Sequence, residues 1–298
     1  MQGENSKTPS IIARDMSDRK KIAIIGTGLI GGSLALQLNE KGLASTIVGV
    51  DSNEGHARKA LELELVDAMD SLDAAIAVSD VVILAIPVDT IARMLPSILD
   101  KIDRQILIDL GSTKSALVNC VSAHPKRGRY VAAHPMWGTE YSGPEAAVKG
   151  AFENQAVIIC NADESDADAV EWTRNMFRKI GMHLLDMRAD DHDLHAAYVS
   201  HISHITSFAL ANTVLEKERE DQAIFEMASA GFESTVRLAK SNPAMWVPIL
   251  MQNRENVLDV LNEHISQLRK FKSCLEKENY EYLEELMADA NRIRRILK

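Results

Sequence analysis

Four glycines, Gly26, Gly28, Gly31 and Gly32, crowd into seven positions of "IAIIGTGLIGGSLA". They lie between the short apolar run Lys21–Ile25 and a helical pattern from Leu29 to about Lys41. A strand that turns directly into a helix needs this backbone. The first glycine of Gly26-x-Gly28-x-x-Gly31 allows the tight turn, the second lets backbone approach a pyrophosphate, and the third lets helix and strand pack closely. The helix N-terminus then faces the phosphates. Asp51 stands 25 residues after Gly26, at the end of the next apolar run, "STIVGVD". A carboxylate there accepts hydrogen bonds from both adenine-ribose hydroxyls and repels a 2′-phosphate, so the pattern points to NAD rather than NADP. Gly26, Gly28, Leu29, Ile30, Gly31 and Asp51 are the candidate cofactor residues.

Short apolar runs continue through "DVVILAIP" (80–87), "RQILIDL" (104–110), "RYVAAHP" (129–135), "NQAVIIC" (154–160) and "GMHLLDM" (181–187), with helical stretches between them. This alternation predicts βαβ units and a mostly parallel sheet. After about Arg188 the strand pattern stops. Segments 253–274 and 279–297 are charged and rich in good helix formers. The expected architecture is α/β: a polar arm over 1–20, a Rossmann-type dinucleotide-binding domain over 21–188, and an all-α substrate and dimerisation domain over 189–298. Helices with little core of their own imply burial against a second subunit.

Composition excludes several function classes. The chain has 298 residues, is 46% hydrophobic, and carries 33 basic against 43 acidic residues, a net charge of −10. An acidic chain without a basic block does not suit nucleic acid or an anionic membrane. No apolar run reaches the roughly 18 residues of a membrane span. The first 20 residues lack a signal-peptide core, and Met16 could serve as an alternative start. Cys120, Cys160 and Cys274 are scattered and odd in number, which predicts free thiols in a reducing cytoplasm.

Candidate chemistry lies after the strands, at the edge where open α/β sheets bind ligands. Ser112 and Lys114 of "LGSTKS" are candidates for contact, although Ser112 or Thr113 could equally cap a helix. In "AAHPMWGTEYSG", His134 follows a strand and precedes Pro135, and imidazole can take a proton from an alcohol. As an ordinary histidine it would give an acidic limb at about pH 6–7. His124, also followed by proline, falls before the strand and reads as a surface residue. "DDHDLHAAYVSHISH" is dense in histidine, and His192/His195 and His201/His204 are each three apart. The helical register splits these ligands, so a substrate-facing stripe with Ser200 and His204 is favoured over a metal site. Arg237 lies among small and apolar residues, and either pairs with an acid or meets an anionic ligand.

Taken in order, "GTGLIGGS", "GSTK", "HPMWGTE", the His192–Asp193 pair, "SHISH" and "GFESTVRLAKSNPAMW" resemble the prephenate dehydrogenases, a family that includes the arogenate dehydrogenases of tyrosine biosynthesis. The resemblance spans residues 22 to about 246. It implies NAD, prephenate and an intertwined homodimer. It also implies that His134 accepts the proton of the ring C4 hydroxyl as hydride leaves C4, and that loss of CO₂ gives 4-hydroxyphenylpyruvate. Ser112 would share the hydroxyl contact, and Arg237 would bind a carboxylate. Ser200 and His204 would meet the polar ends of the substrate, with Glu140 and Trp246 near the entrance. The chain departs from relatives in two places. Ile202 and Ser203 replace a common Leu-Pro pair. Ser234, beside Glu233, stands where relatives often have an acid three residues before the arginine. An acid there would favour the ammonium of arogenate, so its absence favours prephenate. Neither a fused chorismate mutase nor a β-rich regulatory domain is expected. The rival readings are a β-hydroxyacid dehydrogenase using a lysine such as Lys240, and a non-catalytic NAD(H) sensor.

Overall fold

The computed structural model describes residues 19–219 and 224–296. In chain order, the sheet half contains β1 (Lys20–Ile25), α1 (Leu29–Glu40), β2 (Ala44–Val50), α2 (Glu54–Glu62), β3 (Ala68–Met69), α3 (Leu72–Val78), β4 (Val81–Leu84), α4 (Val88–Lys101), β5 (Ile106–Asp109), α5 (Ser115–Cys120), β6 (Tyr130–Pro135), β7 (Ala156–Cys160), α6 (Ala167–Ile180) and β8 (His183–Met187). The eight strands form one sheet in the order β3-β2-β1-β4-β5-β6-β7-β8. Every pairing is parallel except β6 with β7. The two-residue β3 escaped the sequence reading because so short a strand carries no period. The expected arm over 1–20 lies outside the described residues except for Arg19 and Lys20, and Lys20 already opens β1.

Alternation along β1 builds a core on both faces of the sheet. Ile22 and Ile24 pack with Leu34, Leu38 and Phe152 on one face. Ala23 and Ile25 pack with Ile91, Leu95 and Ile98 on the other. The segment between β6 and β7 crosses α1, and it is tied there by Val148 N–H to Ser33 Oγ (2.9 Å) and Phe152 N–H to Gln37 Oε1 (3.1 Å). Helix ends follow local chemistry. Asn53 Oδ1 accepts from the amides of Gly55 and His56 to start α2, and Gly181, at φ +95°, ends α6.

From Ala189 onward the chain is helical: α7 (Ala189–Ala196), a π-helical turn (Ala197–His201), α8 (Ile202–Glu218), α9 (Ala230–Val236), α10 (Pro243–Gln252), α11 (Arg254–Glu276) and α12 (Tyr280–Ala290). The core of this half is thin. Ala197, Val257 and Val260 form one small cluster, while Leu258, Leu268, Leu275 and Met287 stay exposed. Among the described residues no helix is long and apolar enough to cross a membrane.

Candidate active site

The glycine turn does two jobs. A Cβ on Gly26, which has φ +94°, would collide with the carbonyl of Ala85, and one on Gly31 would collide with the carbonyl of Gly26. These two glycines shape the turn and do not line the cavity beyond it. At Gly28 a Cβ would meet nothing nearer than Gly143 N at 4.0 Å. Packing therefore does not demand a glycine at 28, and the bare backbone leaves room for a ligand at the start of α1. Gly28, Leu29 and Ile30 all line the cavity.

Asp51 is held just past β2. Its Oδ2 accepts from Thr27 N–H (3.0 Å) and Thr27 Oγ1 (3.1 Å), and its Oδ1 from Asn53 N–H (2.9 Å). Thr27, the unremarked residue between the glycines, thus fixes the carboxylate expected to meet a ribose. The bare Gly28, the free start of α1 and this anchored carboxylate fit a dinucleotide.

The cavity, about 470 Å³, runs from this turn to the helical half. It gathers Gly28, Ser112, His134, Ser200, His204, Arg237 and Trp246, which come from separate elements. Lys114 does not reach it. That side chain is fully buried and its ammonium is paired with Asp109, whose other oxygen accepts from Tyr130 Oη at 2.7 Å. The alternative of a side-chain cap on α5 from Ser112 or Thr113 is not what forms. Neither Ser112 nor Thr113 performs it; Asp193 does, from the helical half, accepting from the amides of Lys114 (2.8 Å) and Ser115 (2.9 Å).

The same carboxylate opens a chain of hydrogen bonds. His192 Nδ1 lies 2.8 Å from Asp193 Oδ1, and His192 Nε2 lies 2.8 Å from His134 Nδ1. An ionised carboxylate only accepts, so His192 carries its proton on Nδ1. Its Nε2 must then accept, and the donor is His134 Nδ1–H. The Nε2 lone pair of His134 is left for the cavity. The neutral tautomer of His134 is thereby set from two hydrogen bonds away, by Asp193.

Electrostatics agree with that assignment. Burial pushes His134 well below the ordinary histidine value, helped by the neighbouring His192, Lys114 and His201. This corrects the expectation of a limb at pH 6–7. Burial acts to raise Asp193, but the hydrogen bonds from His192 and the amides of Ser115 and Lys114 hold it below the usual carboxylate value. Burial also takes His201 down to about 4 and lowers His204.

The opposite wall comes from the helical half. His204 Nδ1–H donates to the carbonyl of Ser200 at 3.0 Å, so its Nε2 is the accepting nitrogen. Its ring stacks on Trp246, with centroids 3.4 Å apart and planes at 26°. Trp246 is buried, not set at an open entrance, and its Nε1–H has no partner among the described residues. Arg237 is half exposed and pairs with Glu140 at 2.9 Å, joining the β6–β7 segment to the helices. Of the two readings open for Arg237, the acid partner is thus present in this structure. His124 pairs with Asp100 at 3.2 Å, away from the residues that line the cavity.

The His192–Asp193 pair, Thr27 and Asn253 carry no motif signal that assigns them a role. Adjacent residues on a helix do not face one another, so spacing gave no sign that His192 and Asp193 would bond.

A mostly parallel sheet with a ligand-ready glycine turn, opening onto a cavity with a directed imidazole, is the framework of a nucleotide-dependent dehydrogenase. Family models agree. The nucleotide-binding domain of prephenate dehydrogenase matches residues 34–186, and its dimerization domain matches residues 188–289. The chain belongs to the prephenate dehydrogenase family. It is similar to prephenate dehydrogenase of Bacillus subtilis, at 33% identity over 88% of this chain and 72% of that one. It is also similar to cyclohexadienyl dehydrogenase of Zymomonas mobilis, at 29% identity over 94% and 96%. Among solved structures, prephenate dehydrogenase from A. aeolicus in complex with hydroxyphenyl propionate and NAD+ superposes with a TM-score of 0.84, at 28% identity over 94% of this chain and 98% of that one.

Proposed function

We propose that this dehydrogenase converts prephenate to 4-hydroxyphenylpyruvate with NAD. The observation that carries the reading is the Asp193–His192–His134 chain, which leaves an accepting nitrogen on the cavity side of His134. NAD, when bound, supplies the hydride acceptor. His134 takes the proton of the ring C4 hydroxyl, with Ser112 as a second contact to that hydroxyl. The ring loses its carboxylate as CO₂ as it becomes aromatic, so the protein mainly positions groups and accepts a proton. Asp193, still ionised, stabilises the positive charge that then forms on the histidine pair.

Substrate choice follows from the charges at the cavity. Prephenate is a dianion, and Arg237 offers a guanidinium to one carboxylate. Ser200 and His204, which line the cavity, offer polar contacts for the rest. Among the described residues lining the cavity there is no carboxylate, and Glu140 is already paired with Arg237. The ammonium of arogenate would find no free acid there. A lysine mechanism finds no support, because no lysine lines the cavity among the described residues: Lys240 pairs with Glu233 at 3.4 Å, and Lys114 is sealed in its ion pair. Parallel assays of NAD reduction with prephenate and with arogenate test the reading. Turnover of prephenate by at least tenfold over arogenate supports it, and the reverse preference overturns it.

The dimerization-domain match and the exposed Leu258, Leu268, Leu275 and Met287 support a homodimer. Light scattering should give about twice the chain mass of 32.9 kDa.

A further inference from the structure

Asn253 lies at the joint between α10 and α11, 60 residues from Asp193, and it is 3% exposed. Its Nδ2 approaches two groups at once: the backbone carbonyl of Asp193 at 2.6 Å and His201 Nδ1 at 3.1 Å. A carbonyl can only accept, so the amide nitrogen must face this way. Both of its hydrogens are used, and His201 is held as the tautomer with its proton on Nε2. The amide oxygen is occupied too, accepting from Asn256 Nδ2 at 2.8 Å. The neighbouring Gln252 takes a hydrogen bond from Thr113 Oγ1 at 2.6 Å, so the joint is also anchored to the sheet half.

We propose that Asn253 is a positioning residue for the His134–His192 pair, its one amide fixing the places of Asp193 and His201 together. The claim rests on the proposed function for its catalytic consequence. Through the Asp193 carbonyl, Asn253 locates the residue whose carboxylate orients His192 and, through it, His134. Through His201, whose ring meets Trp246 edge-on with centroids 6.0 Å apart, it braces the opposite wall, where Trp246 stacks on His204. A single buried amide thereby registers the base against the residues proposed to hold the substrate. Misplacement by about 1 Å is enough to cost catalysis roughly 10²-fold.

The test uses Asn253→Asp, which keeps the shape and removes both donors, and Asn253→Ala. Turnover should fall about 10- to 100-fold, while the Michaelis constant for NAD changes less than about twofold. The groups facing His134 are His192 on α7, Lys114 after β5 and His201 on the π-helical turn. Loosening the first and last should move the acidic limb of kcat/KM to higher pH. In a His192→Asn background, Asn253→Asp should lose the part of its cost that runs through Asp193, so the two losses should combine to less than their product. A purely structural joint would lower Tm, leave the pH limb in place, and multiply with His192→Asn; that pattern overturns the proposal. Nitrogen NMR of ¹⁵N-histidine in the unliganded full chain separates this from the assignment of function. If the parent turns over neither prephenate nor arogenate, the assigned reaction fails. The His134 tautomer and titration still decide the role of Asn253, which is supported if they change in Asn253→Asp and overturned if they do not.

Discussion

His134 Nδ1 and His192 Nε2 lie 2.8 Å apart, joining the end of β6 to the first helix of the helical half. This bond crosses the boundary between the two halves. Asp193, one residue on, crosses it again by capping α5. The hydrogen-bonded chain that orients His134 is thus assembled from both halves of the protein.

The most direct expectation is at His134. Asparagine keeps hydrogen-bonding capacity but is no base near neutral pH. His134→Asn should lower turnover by about 10²–10⁴-fold, the range for a lost general base, with NAD affinity nearly unchanged. His124→Asn, in a residue paired only with Asp100 and its own turn, should behave as the parent. Near-normal turnover in the first variant would exclude His134 as the base.

Asp193→Asn tests the tautomer argument. An amide can donate to His192 Nδ1, which reverses the chain and puts the proton of His134 on the nitrogen facing the cavity. Activity should fall at least about 10²-fold although His134 itself is intact. The nitrogen spectrum of His134 should show the exchanged tautomer; an unchanged spectrum would rule the relay out.

The pH dependence has a definite sign. With a neutral His134 as the proposed active form, its lowered value should move the acidic limb of kcat/KM below about pH 6.5, the ordinary histidine value. His201, near 4 in the folded protein, binds fewer protons than it does in the unfolded chain between that value and about 6.5. Stability should therefore be full above pH 6.5 and decline as the pH falls toward 4, by about 3 kcal/mol from this one group. Urea unfolding of His201→Gln, compared with the parent across that range, should show a shallower decline.

Arg237 should separate substrate from cofactor. Hydrogen bonds to charged groups contribute about 1.5–3 kcal/mol, so Arg237→Ala should reduce kcat/KM for prephenate by roughly 10- to 150-fold. The Michaelis constant for NAD should hardly move. Equal damage to both would mean that the Glu140 pair is the only function of Arg237.

Asp51 sets the last expectation. Its anchored carboxylate should make NAD the preferred oxidant at equal concentration, and Asp51→Ser should narrow the gap to NADP. A parent that prefers NADP would sink the assignment.

The sequence determined the α/β class, the glycine turn, Asp51 as its acidic partner and the change from strands to helices after Met187. Each is a local signal. Short apolar runs, glycines at fixed spacing and helix formers act over a few residues, so they can be read in order along the chain. The sequence also picked out His134, Ser112, Ser200, His204 and Arg237 one by one, and all of them line one cavity. Their partners and orientations come from the packed fold. It sealed Lys114 against Asp109, paired Arg237 with Glu140, and brought Asp193 and Asn253, 60 residues apart, within 2.6 Å. It also fixed the proton on His134 through His192. Those outcomes depend on burial and on which donors and acceptors meet across the domain boundary, and that partnership is set by packing rather than by any spacing along the chain.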